Sequence, residues 1–580
     1  MKKFVLFCLL VTVTFGYADD TKISPELRGY NSSQPVQVIV QYAPGTQPGT
    51  QTSCSGLLGL VDCLVGDLLN ILGQLPLING VVALVDGTGI VNLSNQANVV
   101  YISSDRPLST LDVAPPAVNA EVAWQSGYVG TGIGVALIDS GVNSHPDLYT
   151  GILPVSRVVY NQSFVSGTSS TADQYGHGTH IAGLIAGDGL ASTGPAFSQT
   201  FTGIAPGAKI INLRVLDANG GATDSQVIAA INQAISLKSK YNIRVINLSL
   251  GRAIYESYKL DPLCQAVEKA WKSGIVVVVA AGNNGRYLPT SGYGTVTAPG
   301  NDPYVITVGA MKPMGTPQRT DDLIASYSSK GPTVVDRVVK PDLVAPGNLL
   351  VSTDTPGTTL ETTETSNLVP YNLYEYAGSS APSAYYFTLS GTSMATGVVS
   401  GAVADLLQAQ PRLTPDQVKT RLMKTAYKTF PQSSSVYDPT TGNTYTDQYD
   451  MFTVGAGYLD IAAALASTDV ASGTAMSPIA NYDTNSGNVY LTFDPSSVWG
   501  NSAMWGSSTV WGSNQFTSAT SAMWGSSALW GSSAMWGSSA MWGSSAMWGS
   551  SAMWGSSAMW GSSAMWGSSA MWGSSIAGGE

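Results

Sequence analysis

Five apolar, β-branched runs separated by amphipathic stretches constrain this chain more than any other feature. The runs are GIGVALID, KIINLRVLD, RVINLSLG, IVVVVAAG and VITVGA; between them, SQVIAAINQAISLKSKY and CQAVEKAWKSG place apolar residues at helical spacing. Val276 to Val279 is apolar at every position, which suits a strand buried on both faces of a parallel sheet. Strands alternating with helices through right-handed crossovers imply a three-layer α/β domain with a mainly parallel sheet over about 112–466. Functional groups in such a sheet belong at the carboxyl ends of the strands. Asp139 stands where GVALID gives way to the turn Ser140-Gly141, and Asn283 where IVVVVAAG stops.

At 580 residues the chain exceeds what one core organises, so further regions are expected. Residues 1–18 read as a secretory signal: Lys2 and Lys3, an apolar run from Phe4 to Phe15, then Ala18 before the cut. That run is too short to span a bilayer, so a secreted protein with no transmembrane anchor in its mature form is expected. A net charge of −11 argues against a nucleic-acid partner. Of four cysteines, Cys8 leaves with the signal, Cys54 and Cys63 can pair in an oxidising compartment, and Cys264 is left alone. His177 and His180 lie one helical turn apart, but the Glu of a metal-binding HExxH is missing and His145 is the only other histidine. No metal site is assigned from these residues and no cofactor is required.

Three glycine-flanked segments carry the chemistry: GVALIDSGVNSHPDL with Asp139, GHGTHIAG with His177, and LSGTSMATGVVSG with Ser393. Attack on an amide carbonyl needs an activated hydroxyl, an imidazole to take its proton, and a carboxylate to fix the imidazole's tautomer. Alone, Ser393 before a helical run reads as an N-cap, and Asp139 before a glycine as a turn aspartate. Together, and in this order, the segments resemble the active-site signatures of the subtilisin-like serine peptidases, the subtilases. GIAPGAKI, VINLSLG, ASYSSKGP, KPDLVAPG and GAGYLDIAAAL extend the likeness across about Val113 to Ala466.

The resemblance implies a serine endopeptidase acting on proteins or peptides, with Ser393 as nucleophile, His177 as base, Asp139 as its orienting carboxylate and Asn283 as an oxyanion donor. It also implies that Ser249, Leu250 and Gly251 line one wall of a substrate cleft and Ala281 and Gly282 the other, and that small walls admit an apolar side chain beside the scissile bond. His180 and His145 are expected to be structural. Gly397 departs from the family pattern, which has a proline there; a looser backbone behind the nucleophile is expected. Subtilases often use calcium, but no acidic, oxygen-rich loop is distinctive enough to assign ligands.

Residues 19–111, with strand-like VQVIVQY, VVALV and NVVYIS and a helix-like run from Leu57 to Leu72, occupy the place of a subtilase propeptide, which inhibits the enzyme before being cut away. Residues 467–498 read as a linker. Trp499, Trp505 and Trp511 stand six residues apart and the same step returns from Trp524 to Trp572, in units close to AMWGSS, and no ionisable side chain lies between Asp494 and Glu580. An even period fits extended structure, with Trp on one side and Met on the other, or a hexad solenoid; low-complexity chain without fixed structure fits equally. Two other functions stand beside the peptidase: a surface or matrix assembly protein that self-associates through the Trp-rich tail, and an acyl-transfer enzyme preferring an amine to water.

Overall fold

The computed structural model describes residues 19–24, 27–46, 70–75, 78–104, 114–150, 155–376, 378–438, 441–483, 488–494 and 496–498. The expected signal, Cys54, Cys63 and the hexad repeats lie outside these. The chain divides into two units at Leu108–Ser109.

In the first unit, β1 (Val36–Tyr42), β2 (Asn70–Leu75), β3 (Gly80–Val85) and β4 (Val99–Ser104) form an antiparallel sheet in the order β2-β3-β1-β4, with helix α1 (Gly87–Ser94) between β3 and β4. Alternation in VQVIVQY buries Val38, Val40 and Tyr42 on one face, where they share a core with Val81, Ala83, Ile90, Leu93 and Ile102. Two readings need correction. Asn70 to Leu72, taken as the end of a helix, are strand, because pairing with Ala83 and Leu84 outweighs a locally helical pattern. Helix α1 was missed because Gly87 and Gly89 depress helix propensity. Its signal was Asp86, whose Oδ1 accepts the Gly89 N–H at 2.8 Å as an N-cap.

The second unit is built on an eight-stranded sheet. Its strands are β5 (Gly134–Asp139), β6 (Val158–Ser163), β7 (Lys209–Arg214), β8 (Ile243–Leu248), β9 (Val276–Ala280), β10 (Ile306–Lys312), β11 (Leu323–Ile324) and β12 (Leu343–Pro346). Seven run in the order β11-β10-β9-β8-β5-β7-β6, and β12 also pairs with β10. Only the β10–β11 pairing is antiparallel. Every residue of β5 and β9 is buried, as strands covered on both faces must be. One covering pair is α2 (His177–Ala186) with α5 (Thr392–Ala409); the other is α3 (Asp224–Tyr241) with α4 (Pro262–Lys272). Helix α5 is buried from Thr392 through Leu407, which its small residues allow.

Strand order departs in both directions from β5, with β7 and β6 on one side and β8, β9 and β10 on the other. That switch opens a crevice at the carboxyl ends of β5 and β8. Outside the main sheet, β13 (Leu350–Thr353), β14 (Leu368–Pro370) and β15 (Pro382–Leu389) pair as β13-β15-β14, beside an aromatic cluster of Phe201, Tyr374 and Tyr386.

The boundary at Ala466 is also corrected. Residues 467–498 do not read as a linker in the structure: Ala475, Ala480 and Val498 are buried in the main core, and β18 (Ile479–Asp483) and β19 (Asn488–Thr492) form a hairpin. Earlier in the chain, β16 (Ser433–Asp438) and β17 (Asn443–Gln448) pair as an antiparallel ribbon. Main-chain bonds Ser477 N–H to Pro303 O, Val339 N–H to Pro478 O and Ala480 N–H to Arg337 O fasten the 467–498 strap. Serines, threonines and two glycines lend it the composition of a connector, while its few buried alanines leave no periodic signature.

Candidate active site

β5 ends at Asp139, and the turn after it must pass close to the start of α2. A Cβ on Gly141, whose φ is +118°, would lie 2.8 Å from main-chain atoms of Asp173 and Thr171; one on Gly178 would lie 2.2 Å from Gly141 O. Glycine at both positions therefore lets α2 begin against the strand end. There His177 Nδ1 hydrogen-bonds Asp139 Oδ1 at 2.8 Å, each side chain being 1% exposed. Asp139 Oδ1 also accepts the Ser140 N–H at 2.7 Å. A carboxylate can only accept, so Nδ1 carries the hydrogen, and in the neutral ring Nε2 is the basic atom. Nε2 has no hydrogen-bond partner among the described residues. Burial by itself would lower the His177 pKa; the charge and hydrogen bond of Asp139, then the charge of Asp173, carry it above the ordinary histidine value.

Ser393 is the second residue of α5 and is buried. Its Oγ–H donates to Ser249 O at 3.2 Å and makes no hydrogen bond to His177 Nε2. The contact is reciprocal: Ser249 Oγ donates to Ser393 O at 2.9 Å. Asn247 Nδ2 bonds Ser249 Oγ at 2.9 Å, and Ser400 Oγ donates to Asn247 Oδ1 at 2.9 Å. A polar chain thus ties the mouth of α5 to the end of β8, and fixes where the hydroxyl stands.

Asn283 follows β9 by three residues. Its Oδ1 accepts the Thr392 N–H at 2.9 Å and the Thr392 hydroxyl at 3.0 Å, while that hydroxyl accepts the Gly282 N–H at 3.1 Å. With the amide oxygen committed, Nδ2 is left as a donor that bonds nothing within the described residues. Thr392 was missed by sequence reasoning; the hydroxyl residue just before Ser393 was the available signal.

The two expected cleft walls differ. Leu250 and Gly251 leave their main-chain N–H and C=O groups without partners among the described residues, as an edge that pairs with an extended peptide requires. Ala281 and Gly282 are different: Ala281 N–H goes to Val308 O, Thr297 N–H to Ala281 O, and Ser329 N–H to Gly282 O. Those two residues offer a small surface and no free pairing edge.

His180 shares Nε2 between Leu350 O and Phe387 O at 3.2 and 3.1 Å, and burial, then the nearby His177, push its pKa down to about 3. His145 Nε2 meets Tyr385 O at 2.9 Å while its Nδ1 accepts the Asp147 N–H, and burial lowers it to about 4. Both rings are neutral fasteners. Gly397 sits inside α5, facing Ile181 and Leu184 of α2, and an added Cβ would meet them at 3.5 Å, an ordinary contact. The helix is continuous there, and what the missing side chain leaves is room. Gly397→Ala is expected to raise the denaturant midpoint, by about 1 kcal/mol in stability, with hydrolysis within twofold of the parent. A lower midpoint would show that the gap is not there.

Among the described residues no group of three or more His, Cys, Asp or Glu is placed to hold a metal ion. No helix among them is long and apolar enough to cross a membrane.

A carboxylate-held imidazole and a serine at a helix mouth, gathered at the carboxyl ends of neighbouring parallel strands, are the equipment of a serine-dependent hydrolase. The family profile described as Subtilase family matches residues 130–457. Among similar proteins, serine protease AprX of Bacillus subtilis is 35% identical over 357 residues, covering 60% of this chain and 73% of that one. Subtilisin DY of Bacillus licheniformis is 33% identical over 320 residues, 55% of this chain and 92% of the relative. Subtilisin E of Bacillus subtilis is 33% identical over 366 residues, 61% and 77% respectively. The chain belongs to the subtilase family and is a serine-type endopeptidase.

Proposed function

We propose that this endopeptidase cleaves through an acyl-enzyme on Ser393. His177 Nε2 takes the hydroxyl proton as Oγ attacks the carbonyl carbon and later returns it to the leaving amine. Asp139 holds the ring and stabilises the imidazolium. Asn283 Nδ2 and the Ser393 N–H receive the oxyanion. Water then attacks the ester, with His177 again as base, and frees Ser393. An extended substrate pairs with Leu250 and Gly251, and Ala281 and Gly282 leave space for an apolar side chain.

The observation that carries this reading is the buried 2.8 Å His177–Asp139 bond, with the opposite ring nitrogen left without a partner among the described residues. Ser393 bonding to Ser249 O, and not to the ring, fits a resting enzyme in which the catalytic hydrogen bond forms on substrate binding. We further infer export through residues 1–18, residues 19–111 acting as a propeptide inhibitor that the enzyme removes itself, and attachment or self-association through the repeats from 499.

The test is covalent. A fluorophosphonate probe should add one tag per molecule, and peptide mapping should find it on Ser393. A tag on another serine, or none on protein that cleaves peptides, would overturn the assignment.

A further inference from the structure

Asp173 precedes α2 by four positions, is 3% exposed, and no motif singled it out. Its Oδ1 accepts the main-chain N–H groups of Tyr175 and Gly176, at 3.1 and 2.7 Å. Its Oδ2 accepts the Thr179 N–H at 2.8 Å and the Thr179 hydroxyl at 2.7 Å. The residue at the formal N-cap, Gly176, has no side chain to cap the helix. Asp173 does that work from outside, gripping the first turn that contains His177. Asn143 clasps Asp173 in turn: Oδ1 accepts its N–H at 2.9 Å and Nδ2 donates to its carbonyl at 2.8 Å.

Burial favours the neutral acid, and on that ground its pKa is raised. Against that, the main-chain N–H groups of Tyr175, Gly176 and Thr179 and the hydroxyls of Thr179 and Ser140 all favour the charged carboxylate. The anion is the form that this shell fits. A buried anion at the foot of the catalytic helix has a second effect beyond capping, because it stabilises charge on the imidazole.

Resting on the proposed role of His177, we propose that Asp173 is a positioning residue that sets both the place and the basicity of the catalytic ring. Asp139 orients the ring through Nδ1, and Asp173 acts through the helix start and through space. Of the other ionisable groups on elements packed against α2, Asp147 and Asp354 are each raised by burial to about 6 and titrate in mildly acidic solution in parent and variant alike, while burial carries Asp405 of α5 well above the ordinary carboxylate value. His180 and His145 are neutral, Asp147 is engaged by Tyr386 and Ala191, and Arg214 points its guanidinium at Leu216 O, Ser170 O and Gln174. The charges that bear on His177 are those of Asp139 and Asp173.

The active ring is neutral, so activity is lost as pH falls through the His177 pKa. Removing an anion lowers that pKa, and the loss should then set in at lower pH. In Asp173→Asn the acidic limb of kcat/KM is expected to move down by about one unit. The plateau kcat should fall about three- to tenfold because the base is weaker, with KM within twofold. Asp173→Glu should restore the limb, since it returns the charge.

Asn143→Ala, which touches no atom of the carboxylate, should shift the limb in the same direction by less, and it provides the answer if Asp173→Asn does not fold. An unmoved acidic limb in folded Asp173→Asn, or in Asn143→Ala where the first variant fails, would overturn the proposal and reduce Asp173 to a helix cap. Should His177→Ala retain the parent rate, the failure would lie with the proposed base and not with Asp173.

Discussion

Alanine at position 393 is expected to bring peptide hydrolysis down to background while the protein keeps its melting temperature within a few degrees. The two halves of that result have separate causes. The Ser393 hydroxyl donates one neutral hydrogen bond, to Ser249 O, and its loss costs about 1 kcal/mol. Alanine is a better helix former than serine, which offsets part of that inside α5. Chemistry has no such reserve. With Oγ gone there is no atom to carry the acyl group, and His177 has no hydroxyl to deprotonate.

If the enzyme processes its own precursor, Ser393→Ala should also accumulate as an uncut chain, which intact mass would reveal. A melting curve and initial rates on a chromogenic peptide decide the matter. Turnover within tenfold of the parent would sink the acyl-enzyme scheme; a collapsed melting temperature would show that the hydroxyl is structural.

Cutting the chain after Ala466 is expected to destroy activity, whereas cutting after Val498 should leave it intact. The difference lies in one buried charge cluster. Asp342 Oδ2 meets Lys340 Nζ at 2.7 Å and Oδ1 meets Lys419 Nζ at 3.0 Å, all three side chains being fully buried. Burial alone would raise the Asp342 pKa, but the two ammonium groups outweigh it and hold the carboxyl below its usual range. Lys419 Nζ also bonds Pro303 O at 2.8 Å and Val305 O at 3.0 Å, and Ser477 Oγ joins the cluster from the strap, 2.8 Å from Lys419 Nζ and 2.5 Å from Asp342 Oδ1.

Removing Ser477 strips two charge-assisted bonds, each worth about 1.5–3 kcal/mol, from groups that water does not reach in the intact fold. Three main-chain bonds and the cover of Ala475 and Ala480 go with them. The sum is comparable with the roughly 5–15 kcal/mol that holds an ordinary domain together. Soluble yield and peptide hydrolysis of the two truncations should therefore separate sharply; equal activity would show that the strap is dispensable.

Much of the architecture could be read from the residues because a parallel sheet buried on both faces needs nearly uninterrupted apolar strands, and β5 and β9 advertise themselves that way. Asp139 and Asn283 could be found for the same reason, since each marks the end of such a strand. What escaped notice has no period to detect. Asp173, Thr392 and Ser249 act through local hydrogen bonds to main chain and to neighbouring side chains, and such bonds leave no pattern along the sequence. Ser249 illustrates the point: expected as a cleft wall, it has its hydroxyl and its carbonyl both engaged with Ser393. The strap was misread because composition describes what a segment is made of and is silent on what it lies against.

Val498 has a consequence that reaches past the catalytic unit. Its N–H bonds Thr474 O at 2.9 Å and its side chain is seated in the core. Whatever grips the chain beyond that residue pulls on a fixed stud and not on a swivelling stalk. Tension on the chain beyond Val498 is therefore delivered to the core of the catalytic unit, where the seated side chain bears the load.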